Sequence, residues 1–175
     1  NVDYTGKSIN IDVVNRYSIN NNYQVIAGVN YQDHNNNTIS PFGNIDSKLA
    51  NFNTVDPYLS VVYNSNYGFN MNIGGRFNHH SNYGNHLVYD ANVSYNFNIA
   101  EFNLKALSSY STAFIAPSTY QLFSGSYGNL NLKPESSGTF ELGLEVSDDK
   151  LIQFDAVYFK RSVNDLENLF IIFRY

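Results

Sequence analysis

The chain has 175 residues, a formal net charge of -5 at pH 7 and no cysteine. This length suits a single domain. The acidic balance argues against nucleic acid as a partner, because nucleic-acid binding needs basic surfaces, and the lack of cysteine excludes disulfides, thiolate nucleophiles and cysteine metal sites. No run approaches the roughly 20 apolar residues of a membrane helix. The mean hydropathy of -0.33 is uninformative about barrels, in which outward and inward residues cancel in the average.

Apolar residues at every second position predict strands in the first half of the chain, because alternate side chains of a strand point to opposite faces. We predict strands at residues 8–19 and 23–32, separated by an asparagine-rich turn, and a long polar connection at residues 33–54. A third strand follows this connection. Its outward residues are Leu59, Val61 and Tyr63.

The fourth strand has the clearest alternation. Its outward residues are Phe69, Met71, Ile73, Gly75 and Phe77. A medium-length loop is predicted at residues 79–86, with the sequence HHSNYGNH, before the fifth strand. The outward residues of the fifth strand are Leu87, Tyr89, Ala91, Val93, Tyr95 and Phe97. A tight reversal at residues 98–100 leads into the sixth strand.

A long loop interrupts the alternation in the last third of the chain. The sixth strand extends to Phe114 and a seventh resumes at Thr139, with Pro117 and Pro134 between them. A loop of this length between two strands is usually functional or disordered. An eighth strand from Ile152 and a last segment at residues 168–175 complete the pattern. The prediction is therefore eight or nine strands.

The predicted connections alternate in length, short and then longer, along the chain. Outer-membrane barrels have short periplasmic turns and longer extracellular loops. The sequence therefore predicts an all-β fold of antiparallel, up-and-down transmembrane β-barrel strands with almost no helix. Several strands reach about ten residues, enough to cross a bilayer with tilt. Tyrosines at strand ends predict an interfacial girdle, with ordinary strand aromatics as the alternative. They are Tyr17, Tyr31, Tyr63, Tyr67, Tyr95 and Tyr110.

The sequence offers no catalytic arrangement. It contains no Gly-x-Ser-x-Gly elbow and no glycine-rich phosphate loop, so we predict neither an enzyme nor a cofactor. Three of the four histidines lie at residues 79–86, where His80 and His86 are candidate ligands of a transition metal. A polar surface loop without a metal is the favoured interpretation, because no carboxylate lies inside it.

Charged residues concentrate on the strand face opposite the apolar one. Charges there indicate water, or paired charges, on the inner side of the sheet. The residues predicted to line this lumen are Arg76, Asp90, Lys105, Asp155 and Arg161. A turn centred near Tyr83 would place Arg76 opposite Asp90, so we predict a cross-strand pair between these two residues.

The long loop between the sixth and seventh strands combines flat apolar side chains with hydrogen-bonding groups. Such residues can hold a large ligand, for example a corrinoid or a metal chelate. The predicted ligand-binding residues are Tyr120, Gln121, Phe123, Tyr127 and Asn129. Pro134 lacks an amide hydrogen, which suits the start of a strand, so we predict a structural role for it.

The same part of the chain carries a family resemblance. AFIAPSTYQLF at residues 113–123, followed by GNLNLKPESSGTFELGLE at residues 128–145, resembles the late barrel strands of TonB-dependent outer-membrane receptors. The matching residues are Phe114, Ala116, Pro117, Ser118, Gln121, Leu122, Gly128, Asn129, Leu132, Lys133, Pro134, Glu135, Glu141 and Gly143. Residues 63–97 extend the resemblance, which is nearest to the vitamin B12 (cobalamin) transporter branch.

The resemblance implies an outer-membrane protein of a Gram-negative bacterium that takes up a scarce nutrient, cobalamin or another large metal chelate. A full receptor of this family has an N-terminal plug, which carries the box that TonB pulls, inside a barrel of about 22 strands. Neither plug nor box is visible in residues 1–175, so we expect a single segment from the C-terminal part of the barrel. The implied partners are the lipid bilayer, the TonB complex through the plug, the nutrient ligand, and remaining barrel strands or a second copy joined at open strand edges.

Two alternatives remain open at this point. A complete small outer-membrane barrel of about eight to ten strands, with a structural or adhesion role, would explain the alternating aromatic ending FIIFRY. An outer-membrane lipase or protease would need a nucleophile and a base that converge at one strand end, and the sequence shows no such arrangement.

Overall fold

The computed structural model describes residues 3–39, 50–118, 121–122, 128–148, 153–163 and 166–174. This part of the chain contains nine strands. They are β1 (Asp3–Ser18), β2 (Tyr23–Ile39), β3 (Phe52–Asn64), β4 (Phe69–His80), β5 (Gly84–Ile99), β6 (Phe102–Ile115), β7 (Glu135–Asp148), β8 (Gln153–Val163) and β9 (Leu166–Arg174). Helical conformation within the described ranges occurs at residues 50, 121 and 122, and no helix in them is long and apolar enough to cross a membrane.

All nine strands form one sheet in which neighbours in sequence are neighbours in space, from β1 to β9. Every pairing is antiparallel. The predicted all-β, up-and-down arrangement is therefore confirmed. Within the described residues the sheet is not closed, because β1 pairs only with β2 and β9 only with β8.

The two faces of the sheet reverse the usual order of a protein in water, in which apolar side chains are inside. The apolar face is exposed: Leu59 is 53% exposed, Ile73 48% and Leu142 54%. The opposite, polar face instead holds the buried residues. Asn30, Thr54, Asp56 and His80 are each at most 7% exposed. Side-chain packing therefore takes place on the polar face, and the apolar face has no protein layer over it within the described residues.

The strand register aligns the outward apolar residues into a band. It covers residues 23–31 of β2, 55–63 of β3, 69–77 of β4 and 87–95 of β5. We call the end of the sheet with the turns at residues 19–22, 65–68 and 100–101 the turn end, and the opposite end the loop end. Beyond the band, at the loop end, the outward face becomes polar. The residues there are Asp33, Asn53, His79 and Asn85.

Aromatic residues border this band at both ends. At the turn end, Tyr23 and Tyr63 have ring centroids 4.6 Å apart, and Phe69 lies 6.2 Å from Tyr63. At the loop end, Tyr89 and Tyr110 lie 6.1 Å apart. Of the tyrosines named above, five lie at these borders on the apolar face, namely Tyr17, Tyr31, Tyr63, Tyr95 and Tyr110. The sixth, Tyr67, lies in a turn and is 87% exposed.

Two connections are shorter than the sequence predicted. β4 extends to His80 and β5 begins at Gly84, so the predicted loop at residues 79–86 is reduced to a turn at residues 81–83. β9 likewise begins at Leu166, directly after the two residues that follow β8. The prediction of medium-length loops at these two places is wrong, because polar residues continue the hydrogen-bonded ladders beyond the apolar band.

The long connection predicted at residues 33–54 is also partly strand. β2 extends to Ile39 and β3 begins at Phe52. The asparagine-rich end of β2 remains paired with β1, from Ile9 opposite Asp33 to Asp3 opposite Ile39. Backbone pairing alone defines this extension, so the side-chain pattern could not reveal it.

Two of the turn-end reversals use a residue with positive φ. Gly68 has a φ of 88°, and a Cβ at this position would collide with the backbone carbonyl of Asn96. Ala100 has a φ of 53° in the two-residue turn between Ile99 and Phe102. The reversal predicted at residues 98–100 is therefore centred slightly later in the chain.

Candidate ligand-binding site

Four rings form a row across the polar face at the loop end of β2, β3 and β4, of which three are stacked and the fourth is tilted. The ring centroids of His34 and Phe52 are 4.6 Å apart with an interplanar angle of 22°. Phe52 and His80 follow at 4.8 Å and 17°, and His80 and Tyr83 at 5.0 Å and 57°. We call His34, Phe52, His80 and Tyr83 the ring ladder. Because neighbouring rings stack on one another, the row presents mainly ring edges, which suit edge-to-face contacts with a planar ligand group.

The strand register brings these rings together. His34 lies opposite Phe52 in the β2–β3 ladder, and His80 lies opposite Thr54 in the β3–β4 ladder. Residues two apart on a strand share a face, so Phe52 and Thr54 both point to the polar side. The turn after His80 then positions Tyr83, whose backbone N–H donates to the His80 carbonyl (3.2 Å).

Hydrogen bonds fix the two histidine rings. His34 Nε2 donates to Gln32 Oε1 (3.2 Å), and Gln32 Nε2 donates to Asn30 Oδ1 (2.9 Å). On the other side, the backbone N–H of Asn82 donates to His80 Nδ1 (3.2 Å). These bonds assign His34 the Nε2–H tautomer and require an unprotonated Nδ1 in His80.

His80 is the last residue of β4 and lies beyond the apolar band. Burial lowers the pKa of His80, and nearby His86, His34 and His79 lower it further. Burial also raises the pKa of the Tyr83 phenol in the adjacent turn. Both effects favour the uncharged forms, so these two rings of the ladder are neutral at pH 7.

A cavity of 460 Å³ opens beside the ring ladder. Its wall is formed by the polar face of β2–β4, the end of β6 and the first residues of the following loop. The lining residues are Gln32, His34, Asn36, Phe52, Thr54, Asp56, Asn78, His80, Asn82, Tyr83, Phe114, Ala116, Pro117, Ser118 and Leu122. This volume is within the usual range of ligand pockets, about 300–1,000 Å³.

A layer of paired polar groups supports the cavity on its turn-end side. Arg76 Nη1 lies 3.9 Å from Asp56 Oδ2, and the guanidinium of Arg76 lies 5.2 Å from the ring centroid of Tyr58. The Tyr58 hydroxyl donates to Asp12 Oδ1 (3.1 Å). Gly28 leaves room for the Tyr58 ring, because a Cβ at this position would overlap it and the Val13 carbonyl.

The carboxamides that line the cavity donate to protein acceptors. Asn78 Nδ2 donates to Asp56 Oδ1 (2.7 Å), and Asn36 Nδ2 to the Ala50 carbonyl (3.2 Å). Two buried oxygen atoms of the wall, Thr54 Oγ1 and Asn78 Oδ1, have no hydrogen-bond partner in the described part of the chain. An unpaired buried polar atom is costly, so these two oxygens leave the wall able to form hydrogen bonds with a ligand.

The five residues predicted to line a lumen all lie on the polar face. Lys105 Nζ forms an ion pair with Glu145 Oε1 at 3.1 Å. Asp90 Oδ2 accepts from Asn92 Nδ2 (2.7 Å), and Asp155 Oδ2 from Gln153 Nε2 (3.5 Å). Arg161 Nη2 donates to Ser137 Oγ (3.5 Å). Their exposure to a closed lumen stays a prediction.

The predicted pairing of Arg76 with Asp90 is wrong. Asp90 lies opposite Gly74, and Arg76 lies opposite Val88. His80 pairs with Gly84, so the turn is centred on Asn82 rather than Tyr83, and this one-residue difference moves the pairing by two. Arg76 forms its ion pair with Asp56 on the other neighbouring strand instead.

The predicted ligand-binding loop is only partly described. Tyr120, Phe123 and Tyr127 lie outside the described residues. Gln121 Oε1 accepts from the backbone N–H and the hydroxyl of Ser118 (2.9 and 3.0 Å), and the backbone N–H of Asn129 donates to the Gln121 carbonyl (2.9 Å). These bonds shape the loop, while Ser118 and Leu122 reach the cavity. Ligand contact by the five predicted residues stays a prediction.

The two histidines considered for a metal have other contacts. His86 Nε2 lies 3.0 Å from the Tyr83 carbonyl, to which it donates, and its ring stacks on Phe114 at 3.6 Å. His80 Nδ1 accepts from Asn82. The described ranges contain no group of three or more histidine, cysteine, aspartate or glutamate residues that could hold a metal ion.

Sequence reasoning missed the ring ladder. His34 and Phe52 fell within a stretch predicted to be a polar connection, and His80 within a predicted loop. The sequence does carry a signal, since an aromatic or histidine ring lies near the loop end of each of these strands. The signal could be used only with the registers of the β2–β3 and β3–β4 pairs, which show that the rings are neighbours.

The family described as TonB dependent receptor-like, beta-barrel, matches residues 3–169. The chain belongs to this family. Its members are outer-membrane β-barrel proteins of Gram-negative bacteria that take up nutrients and siderophores, and they are transport receptors. The fold and the family expected from the sequence are therefore confirmed.

Individual relatives cover this TonB-dependent receptor chain to different extents. Over 44 residues, 25% of this chain and 7% of the relative, it is 52% identical to the vitamin B12 transporter BtuB of Vibrio cholerae serotype O1. The siderophore receptor PirA from Pseudomonas aeruginosa has a TM-score of 0.72 at 18% identity, with coverage of 91% of this chain and 32% of PirA. A mutant of the ferric enterobactin receptor PfeA from the same species, in complex with enterobactin, has a TM-score of 0.72 at 19% identity, with coverage of 93% and 27%.

The structural likeness at these identities establishes the fold. This TonB-dependent receptor chain spans 7% of the length of the BtuB relative and 27–32% of the two solved receptors.

Proposed function

We propose that the chain forms part of the barrel of an outer-membrane receptor that takes up cobalamin or another large metal chelate. The cavity beside the ring ladder carries this proposal, because it combines flat rings with hydrogen-bonding groups on the polar face. A volume of 460 Å³ suits a ring system that is part of a larger ligand, with the remainder extending toward water.

The exposed apolar band supports a position in the lipid bilayer. Its segments of nine residues, such as 69–77, match the roughly 9–11 residues that cross a bilayer in tilted strands. The aromatic residues at its two borders would then lie at the membrane interfaces. In this arrangement the polar face lines the lumen, and the loop end is extracellular.

The open strand edges support a larger assembly. β1 and β9 each have one pairing edge without a described partner strand, and such edges readily pair with another strand. We propose that remaining barrel strands of the complete receptor pair with these edges, and that a plug within the lumen connects the receptor to the TonB complex. Pairing with a second copy of the chain is the alternative use of these edges.

The short match to a vitamin B12 transporter favours cobalamin over other chelates. A corrin is a large flattened ring with amide groups at its edge, and ring contacts together with hydrogen bonding suit such a ligand. Tyr120, Gln121, Phe123, Tyr127 and Asn129 are proposed as further contacts from the extracellular loop.

Binding of cyanocobalamin and of ferric enterobactin to the complete receptor in detergent tests the proposal. Replacement of His80 by Ala removes two ring contacts, so the affinity for the bound ligand should fall about tenfold or more. His79→Ala is the matched control, because His79 lies next in sequence on the opposite face and pairs with Asn85. Equal affinities of the wild type and the His80→Ala variant would remove the ring ladder from the binding site.

A second candidate, a complete small barrel with a structural or adhesion role, is distinguished by size. The chain has a mass of 19.8 kDa, so a native protein of this mass in the outer membrane would favour the small barrel. The open sheet of nine strands argues for the receptor. A catalytic role is not proposed, since neither the family nor the site supplies a nucleophile and base in contact.

A further inference from the structure

The chemistry of the cavity wall narrows the class of ligand beyond the proposed function, on which this inference rests. The residues that line the cavity include one carboxylate, Asp56, and no lysine or arginine. The nearest guanidinium, that of Arg76, lies beside Asp56 and over the Tyr58 ring. A ligand in the cavity therefore meets no uncompensated positive charge from the described wall.

The buried histidine of the ladder, His80, does not supply that charge either. His80 is 4% exposed, and its Nδ1 accepts the Asn82 N–H. Protonation of Nδ1 would place two donors against each other. An anionic ligand placed beside this ring and Asp56 would be desolvated without a cationic partner, which is costly.

The wall instead has two unpaired oxygens that can accept a hydrogen bond, and the Thr54 hydroxyl can also donate one. Thr54 Oγ1 and Asn78 Oδ1 are buried without a partner among the described residues, and Asn78 uses its amide N–H toward Asp56. Thr54 is 6% exposed, so water has little access to its hydroxyl and cannot readily supply the missing hydrogen bond. A ligand N–H or O–H that reaches these oxygens would supply the missing hydrogen bond.

Together these observations define the recognised group. We infer that the cavity selects an uncharged planar group that carries N–H or O–H donors at its edge, and that it discriminates against anionic metal chelates. The ring edges of the ladder pack against its face, while Thr54, Asn78 and Asp56 accept from its edge. A neutral corrinoid with primary amide arms belongs to this class, and a ferric tris-catecholate does not.

Two substitutions in the complete receptor test the inference, with cyanocobalamin and ferric enterobactin as probes. Thr54→Val removes the unpartnered hydroxyl but keeps the shape, so the affinity for cyanocobalamin should fall about tenfold without a loss of thermal stability. Thr139→Val is the control, because Thr139 shares the polar face, opposite Arg161, but lies outside the cavity wall. Asp56→Asn keeps the acceptor for Asn78 and frees Arg76, so the affinity for ferric enterobactin should rise about tenfold.

The outcomes separate the inference from the proposed function. Tight binding of cyanocobalamin that is weakened by Thr54→Val, with ferric enterobactin gained only in Asp56→Asn, supports both. Equal binding of both probes by the wild type, unchanged in Thr54→Val and Asp56→Asn but weakened by His80→Ala, overturns the inference and retains the proposed function. Failure of the wild type to bind either probe overturns both.

Discussion

The polar face carries two regions that differ in charge and in hydrogen bonding. At the loop end of β2–β4, neutral rings and carboxamides surround a cavity, and two wall oxygens have no partner in the described residues. On β6–β8, charged groups form cross-strand contacts, as in the Lys105–Glu145 pair at 3.1 Å and the hydrogen bond from Ser109 Oγ to Glu141 Oε2 at 3.0 Å. Asp155 Oδ1 and Arg161 Nε of β8 are buried without a partner among the described residues, but neither residue lines the cavity.

The difference separates a cavity lined mainly by neutral groups from a face dominated by cross-strand charge contacts. Paired charges exposed to water add little stability, whereas unpaired buried oxygens beside a cavity carry a cost that a ligand can remove. Recognition is therefore expected where the unpaired oxygens border a cavity, although charge is more conspicuous on β6–β8.

The largest predicted effect tests whether both regions share the water-filled side of the sheet. Leu59 lies outward in the apolar band and Ser60 lies on the polar face. Lysine in place of Leu59 should destabilise the receptor in lipid vesicles by about 2–4 kcal/mol. Ser60→Lys should cost less than about 1 kcal/mol in the same urea unfolding experiment, and equal costs would contradict the assignment of the faces.

The next prediction concerns a substitution at Gly28 that should displace the Tyr58 layer beneath the cavity. A methyl group at Gly28 would overlap the Tyr58 ring and the Val13 carbonyl, so Gly28→Ala should reduce the free energy of unfolding by about 1–3 kcal/mol and weaken ligand binding. Gly74→Ala is the control, because its Cβ would meet mainly the flexible end of Asp90 at 2.9 Å. A Gly28→Ala variant with full stability and affinity would show that the Tyr58 layer does not support the site.

A smaller effect is expected from the charged region. The side chains of Lys105 and Glu145 are 39% and 42% exposed, so solvent screens their attraction. A double-mutant cycle with Lys105→Met and Glu145→Gln should give a coupling free energy below about 1 kcal/mol. The coupling should shrink further at high salt, and ligand affinity should remain unchanged. A coupling above about 2 kcal/mol would mean that this region is more enclosed than its exposure indicates.

The smallest predicted effect concerns pH. Burial lowers the pKa of His80 from its usual 6.5, so the folded state favours the neutral ring. The stabilisation is complete above pH 6.5 and is lost as the pH falls through the lowered pKa of the folded state. His34, His86, His79, Tyr83 and Asp56 are the other titratable groups around this ring or on the same cavity wall.

Cyanocobalamin affinity measured from about pH 7.5 to about pH 5 checks this prediction. Affinity should fall a few-fold in the wild type as the pH decreases. His80→Gln should flatten the profile, whereas His79→Gln on the outward face removes only the smallest of the charge effects on His80 and should shift the profile slightly. An identical profile in His80→Gln would assign the pH dependence to another group.

Much of the fold was predictable because the sheet separates two environments. Alternation alone assigned Phe69, Met71 and Ile73 to one face, although it placed the start of β7 at Thr139 rather than Glu135. The missing amide hydrogen of Pro134 was the better indication of where β7 begins. The strand register was harder to predict from the sequence. One residue of uncertainty in the centre of a turn moved the partner of Arg76 from Val88 to Asp90, because a hairpin register depends on turn geometry.

The candidate site was less predictable than the fold for the same reason. His34, Phe52 and His80 are far apart in sequence, and they meet only through two strand registers and the extension of β2 and β4 beyond the apolar band. Because the residues of these extensions are mostly polar, their sequence is typical of loops rather than strands. The five loop residues chosen from composition include Gln121 and Asn129, whose described bonds hold the loop itself.

The paired extension of β1 and β2 has a consequence for the path of an incoming molecule. This ribbon rises to Asp3 and Ile39, whereas the neighbouring hairpin ends at residues 81–83. At the loop end, the described strands therefore extend further on the side of His34 than on the side of Tyr83. Tyr83 lies on the shorter side of this end and His34 on the taller side, so in the proposed extracellular orientation an incoming ligand should reach Tyr83 before His34.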